Sequence, residues 1–328
     1  MAQSTIKHLG IFTSGGDAPG MNACVRAAVR TGLNNGLQIS GIWRGYEGMI
    51  DGDFMDMNSR SVSNIIQRGG TILKSARSKV FKTPEGRQKA FDQLQKRGID
   101  ALVAIGGDGT FTGATVFQEE FNVPIVGVPG TIDNDLYGTD FTLGFDTAVS
   151  NVVDAIDKIR DTAASHDRVF FIEVMGRDTG FIGLAAGIAG GAEAILLPET
   201  PTDIQRLADE LAKGAKKGKT SSIVIVAEGD DGGGAFEVAK GIRGLLPDYD
   251  TRVSVLGHTQ RGGTPTWNDR VLGTRLGTGA VNALLAGHSG TMVGLIGNQL
   301  TSIPLKAAID QKKELNLRMA EHLECLIL

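Results

Sequence analysis

The chain has 328 residues, 21% of them charged and 41% apolar, with a formal net charge of −4. That length gives room for a large core and about two domains, and the composition excludes a disordered chain. With no basic excess and no apolar run of about 18 residues, neither nucleic acid nor a membrane is an expected partner.

Met1 to Gly10 lacks the basic-then-apolar pattern of an export signal, and Cys24 and Cys325 are too few for a disulfide framework or a zinc site. A reducing cytoplasm is the expected compartment. Leu9 to Ser14 reads as a strand, Gly15 to Gly20 as a turn, and a helix follows with Met21, Val25, Ala28 and Val29 on one face. Gln38 to Trp43 is the next strand, Ser61 to Gln67 a short helix, and Pro84 to Arg97 a longer one. The apolar run Leu102 to Ile105 then enters Gly106-Gly-Asp-Gly-Thr110, and Pro124 to Val128 enters Pro129-Gly-Thr-Ile-Asp-Asn-Asp135.

A helix over Ala148 to Ile159 leads into a second series. Its strands are Arg168–Val174, Ala194–Leu197, Ser221–Ala227 and Val253–Leu256, with a helical pattern over Asp203 to Lys213 and a late strand at Thr291–Ile296. The alternation predicts an α/β protein of two domains, each a mostly parallel sheet covered by helices on both faces. The 46 glycines, in pairs and short clusters, fit many tight strand-to-helix turns.

Two generic nucleotide motifs fail. Gly214-Ala-Lys-Lys-Gly-Lys-Thr220 has three residues between its glycines and lies after a helix and before a strand, the reverse of a P-loop. Gly15-Gly-Asp-Ala-Pro-Gly20 lacks dinucleotide-fold spacing, although a glycine turn before a helix still makes a phosphate seat. The two aspartate motifs say more. Flanking glycines let a polyphosphate approach Asp108, and Asp133 and Asp135, two apart in an extended turn, face one side. Carboxylates that close favour a cation between them or a proton-accepting role for one, which points to Mg²⁺ and phosphoryl transfer. Val174-Met-Gly-Arg177 and Gly257-His-Thr-Gln-Arg-Gly-Gly263 add Arg177, His258 and Arg261 at strand ends, where arginine's planar fork suits a sugar phosphate. Glu228, ending another strand, suits a sugar hydroxyl or a structural ion pair.

Thr13-Ser-Gly-Gly-Asp-Ala-Pro-Gly-Met-Asn22, Arg68-Gly-Gly-Thr71, Ser75-Ala-Arg77, the two aspartate motifs and both cationic motifs resemble, in order, the bacterial ATP-dependent 6-phosphofructokinases. The resemblance runs from about Lys7 past Asn298. It implies an ATP-binding domain over 1–144 and 260–310 and a fructose 6-phosphate-binding domain over 145–259 and 311–328. It implies that Gly16, Arg77, Gly107, Asp108, Gly109 and Thr110, with Lys74 by proximity, surround ATP. Asp108 and Asp135 would hold Mg²⁺, Asp133 would take the proton of the sugar 1-hydroxyl, Thr131 and Arg177 would steady the phosphoryl group, and Arg77 would offset charge on the ATP phosphates. Thr131, Asp133, Met175, Arg177, Glu228, His258 and Arg261 would bind fructose 6-phosphate. Arg168 and Arg252 would reach it across a subunit interface, which implies a homotetramer.

The resemblance also bears on donor and effectors. Pyrophosphate-dependent relatives carry Asp and Lys at the places of Gly109 and Gly130, so the glycines favour ATP. Arg26, Arg30, Arg160, Glu193 and Lys219 match an effector site for ADP or phosphoenolpyruvate. Ser59 and Lys217 occupy two further positions of that site where arginine is familiar, and lysine loses the bidentate fork.

Overall fold

The computed structural model describes residues 6–165 and 168–319; Cys325 and the expected second-domain tail beyond 319 lie outside the described residues. The first half runs β1 (His8–Thr13), α1 (Met21–Asn34), β2 (Gln38–Ile42), α2 (Gly45–Asp51), β3 (Phe54–Asp56), α3 (Pro84–Arg97), β4 (Ala101–Gly106), α4 (Asp108–Phe121) and β5 (Ile125–Pro129). Next come α5 (Phe145–Ala164), β6 (Arg168–Val174), α6 (Phe181–Ala189), β7 (Ala194–Leu196), α7 (Ile204–Lys216), β8 (Ser222–Ala227), α8 (Gly234–Leu245) and β9 (Asp250–Val255). The chain closes with α9 (Trp267–Leu285), β10 (Thr291–Ile296), β11 (Gln299–Pro304) and α10 (Leu305–Asp310).

Two compact units result, divided at Ile132/Asp133, Asp135/Leu136, Thr147/Ala148, Gln260/Arg261 and Lys313/Glu314. The first holds a seven-stranded sheet, ordered β11-β10-β5-β4-β1-β2-β3. Its strands are parallel except the antiparallel edge pairs β10–β11 and β2–β3. The second holds a parallel four-stranded sheet, β7-β8-β6-β9. Asp133 to Asp135, expected with the first domain, group with the second, where Arg177 holds the Asp133 carboxylate.

Burial on both faces explains why the central strands read as continuous apolar runs rather than alternating ones. All of β4 is buried. Phe12, Leu102, Ala104 and Ile125 point one way, into a cluster with Phe111 and Phe117 of α4, Leu94 of α3 and Met49 of α2. Each fully buried phenylalanine there stabilises the fold by about 2–3 kcal/mol. The other face carries α1 and α9, whose backbones approach closely at two glycines one turn apart. A Cβ on Gly277 would lie 2.4 Å from the Cys24 carbonyl oxygen, and one on Gly273 would lie 2.8 Å from that of Gly20. In the second unit, Val169, Phe171, Val224 and Val226 pack on α7 and α8.

Local signals account for the helices that were legible. Thr83 accepts from the Gly86 amide, Pro84 opens α3, Lys96 and Arg97 fill its last turn, and Gly98 ends it at φ 70°. The expected helix over Ser61 to Gln67 is a run of turns instead. There the Asn58 side chain accepts from the amides of Arg60 and Ser61, and Asn64 sits at φ 55°, so local bonds replace helical ones.

Candidate active site

In the first unit, β1 and β4 are neighbours whose onward connections diverge, β1 to β2 on one side and β4 to β5 on the other. Ligands of open α/β sheets bind at such a switch point, outside the carboxyl ends of the strands. The loops that meet there are Gly15-Gly16-Asp17 after β1, Gly107-Asp108-Gly109 after β4, and Gly130-Thr131 after β5. They are joined by the Ser14 amide donating to the Ile105 carbonyl at 3.0 Å and the Gly130 amide to that of Gly106 at 2.9 Å. Gly106 must be glycine, since a Cβ there would lie 2.3 Å from Thr110 Oγ1 and 2.6 Å from the Ser14 carbonyl oxygen.

Asp108 does not sit on a plain turn, as expected from its glycines, but is the first residue of α4, with Gly107 as its cap. Helix amides and the positive dipole end therefore face the Asp108–Gly109 corner, which is exposed. A Cβ on Gly109 would meet nothing within 4 Å, whereas one on Gly130 would lie 3.0 Å from both Ile105 and Met21 side chains. Gly109 thus borders open space, whereas Gly130 packs into the core, so of the two only Gly109 has free space beside it. Thr110 is buried, and its carbonyl accepts from the buried Tyr46 hydroxyl at 2.6 Å.

Thr131 is buried and its carbonyl accepts from Thr142 Oγ1, which fixes the loop from below. Beneath it, the Asp269 carboxylate is fully buried and accepts from the amides of Gly144 (2.8 Å) and Thr147 (2.9 Å) at the start of α5. Burial pushes its pKa up to about 6 against those hydrogen bonds. Lys74 lies at φ 56°, exposed, with Nζ 5.3 Å from the centre of the Trp43 ring, and its carbonyl accepts from Thr13 Oγ1 at 2.8 Å. Arg77 is exposed. Arg261 approaches the first loop, its NH1 3.4 Å from the Asp17 carbonyl and 2.8 Å from where a Cβ on Gly16 would lie.

In the second unit the ends of β6, β8 and β9 meet. Arg177 follows β6 at φ 52°, a left-handed conformation costly for a non-glycine residue and frequent at functional sites. Its amide points to Glu228 at 3.4 Å, its Nε lies 3.2 Å from Asp133 Oδ2, and Asp133 is 1% exposed. Asn134 at φ 55° breaks the extended turn expected between Asp133 and Asp135. Asp133 is accordingly buried and Asp135 half-buried, rather than both lying on one face. Met175 is half-buried, and His258 is exposed on a short 3₁₀ turn, Gly257–Arg261. Gln260, inside the same motif, is buried and bonded to both loops; sequence reasoning does not single it out.

Arg168 and Arg252 do not join this group. Arg168 Nε bonds Asp250 Oδ2 at 2.8 Å, and Arg252 pairs with the other oxygen of that carboxylate. Arg168 begins β6 whereas Arg177 follows its last residue, about 20 Å away by strand rise. Of the expected effector residues, Glu193 gathers Arg160 (3.9 Å) and Lys219 (3.7 Å). Lys217 ends α7 close by in sequence, while Arg26 and Arg30 are on α1 and Ser59 on an exposed turn of the first unit. No group of three or more metal-ligating side chains occurs among the described residues, and no described helix is long and apolar enough to cross a membrane.

A family model described as phosphofructokinase matches residues 8–284. An ATP-dependent 6-phosphofructokinase 1 from Thermus thermophilus is 58% identical over 311 residues, covering 95% of this chain and 96% of the relative. An ATP-dependent 6-phosphofructokinase 2 from Bacteroides thetaiotaomicron is 54% identical over 309 residues, covering 94% and 95%. Among solved structures, phosphofructokinase from Saccharomyces cerevisiae superposes with a TM-score of 0.89 at 37% identity. That match covers 93% of this chain, which spans only 45% of the yeast one.

Proposed function

Because the chain belongs to the phosphofructokinase family, we propose that it transfers the terminal phosphoryl group of ATP to the 1-hydroxyl of fructose 6-phosphate, giving fructose 1,6-bisphosphate and ADP in glycolysis. The observation that carries the chemistry is the buried Asp133 carboxylate held by Arg177, two residues beyond Thr131. Asp133 takes the hydroxyl proton as the sugar oxygen bonds to phosphorus and the bond from phosphorus to the leaving ADP oxygen breaks. Thr131 and Arg177 steady the moving group, and Arg77 offsets charge on the nucleotide phosphates. A loose transition state asks mainly for such positioning and charge.

The nucleotide's phosphates would lie on the glycine loops after β1 and β4, with Gly16, Gly107, Gly109 and Thr110 lining them and Lys74 nearby. Asp108 suits the metal that accompanies ATP: it is exposed, glycine-flanked and beside open space. One or two carboxylates suffice when phosphate and water fill the remaining positions, so no larger cluster is needed; Asp135 is the second carboxylate that the family resemblance implies. Mg²⁺ bound there would neutralise charge on the β- and γ-phosphate oxygens. Met175, Arg177, Glu228, His258 and Arg261 would bind the sugar phosphate.

Arg168 and Arg252 would serve a neighbouring subunit, a reading supported by their shared pairing with Asp250, which opens β9 at the end opposite to the loop that carries Arg177. A homotetramer with shared sites follows, in the cytoplasm, with ADP or phosphoenolpyruvate acting through Arg26, Arg30, Ser59, Arg160, Glu193, Lys217 and Lys219. The test is ³¹P NMR of fructose 6-phosphate incubated with MgATP. A second phosphate resonance on carbon 1, with ADP in equal amount, is expected; hydrolysis of ATP without sugar phosphorylation would refute the proposal.

A further inference from the structure

The pairing of β6 with β9 ends before the loops that follow them. The last backbone bond runs from the Leu256 amide to the Glu173 carbonyl at 3.1 Å; Gly176 at φ 150° and Gly257 at φ 50° then turn the chains. A side chain takes over where the ladder stops. Gln260 Oε1 accepts from the Met175 amide at 3.1 Å, and Gln260 Nε2 donates to the Gly257 carbonyl at 3.1 Å. Gln260 is fully buried, so both ends of its amide exchange water for these two backbone partners.

We infer that Gln260 is a positioning residue for fructose 6-phosphate, its amide acting as a rung that sets the loop of Met175 and Arg177 against the turn of His258. The inference rests on the proposed function for the identity of the sugar phosphate. Oε1 fixes the loop whose third residue, Arg177, is already held in a left-handed conformation. Nε2 fixes the turn that presents His258. Glutamine is the residue the geometry requires: an acceptor for one loop, a donor for the other, and the reach between them. Glutamate would set a carboxylate oxygen against the Gly257 carbonyl, and methionine would leave both backbone groups without their partner. Gln260, Met175 and Gly257 all belong to the second unit, so the effect is expected on the sugar rather than on the nucleotide.

Gln260→Met and Gln260→Glu test this in steady-state kinetics with both substrates varied. KM for fructose 6-phosphate is expected to rise about tenfold in each, the scale of one buried hydrogen bond, with KM for ATP within about twofold. The glutamate variant carries a second expectation. Protonation returns a donor facing Gly257, so its KM for the sugar should fall toward that of the parent as pH is lowered from 8 to 6, a trend absent from Gln260→Met. Equal rises in both KM values, or an unchanged sugar KM, would overturn the inference. If Gln260→Met does not fold, the glutamate variant's pH trend and amide exchange at Met175 decide it: exchange no faster than in the parent would also overturn the inference. Parent enzyme that fails to phosphorylate the sugar refutes the proposed function instead, and Met175 exchange still judges the rung.

Discussion

Asp133→Asn separates the proton-accepting role of this residue from its place in the packing. Asparagine has almost the same volume, so a side chain that is 1% exposed leaves no cavity when replaced. An amide oxygen can still face Arg177, which lies 3.2 Å from the carboxylate in the parent. What is lost is the ability to receive the hydroxyl proton. Positioned acid–base catalysis contributes about 10²–10⁴-fold, or roughly 3–5 kcal/mol of barrier. We expect kcat to fall by that factor while both KM values stay within about threefold, measured by coupling ADP release to pyruvate kinase and lactate dehydrogenase. A kcat within tenfold of the parent would remove Asp133 from the base role. A rise in sugar KM with kcat preserved would make it a binding residue only.

The remaining predictions concern donor choice, pH and assembly. Gly109→Asp places a side chain in open space at the first turn of α4. It should leave unfolding stability within about 1 kcal/mol yet raise KM for ATP at least tenfold, and an unchanged KM would refute the phosphate seat. Asp269, whose pKa is pushed up to about 6 by burial, keeps its proton in the folded state over a range where the unfolded chain has released it. Stability relative to Asp269→Asn should therefore fall as pH rises from about 4 to 6, by about 3 kcal/mol in all, and urea unfolding at several pH values would show it. A difference that is flat or rises with pH would contradict that sign. Mixing inactive Asp133→Asn subunits with Arg252→Ala subunits should restore activity above either parent if sites are shared; no recovery after confirmed subunit exchange would place Arg252 elsewhere.

Much of this was legible because the strands carry their own punctuation. Arg168–Val174 and Pro84–Arg97 have the bounds read from apolar runs, caps and glycines. The helix opening at Asp108 was hard to see because Gly109 and Gly113 lower helix propensity; at Gly113 a Cβ would lie 3.0 Å from the Tyr46 ring, and at Gly109 it would border open space. The edge strand β3, three residues long, had no periodicity to show. Backbone conformation was equally invisible: nothing in the residue types announces Arg177 at φ 52°, or that Asn134 in the left-handed region would set Asp133 and Asp135 differently. Composition also cannot say that Arg168 and Arg252 share one carboxylate, Asp250, at the far end of a strand. Long motifs marked the candidate residues, and tertiary contacts within each unit show which of them lie together.

The most direct test compares initial rates of fructose 6-phosphate phosphorylation with MgATP and with Mg-pyrophosphate at equal concentration. The open corner at Gly109 and the kinship with ATP-dependent enzymes predict rapid turnover with ATP and none above background with pyrophosphate. Turnover with pyrophosphate equal to or above that with ATP would contradict the account.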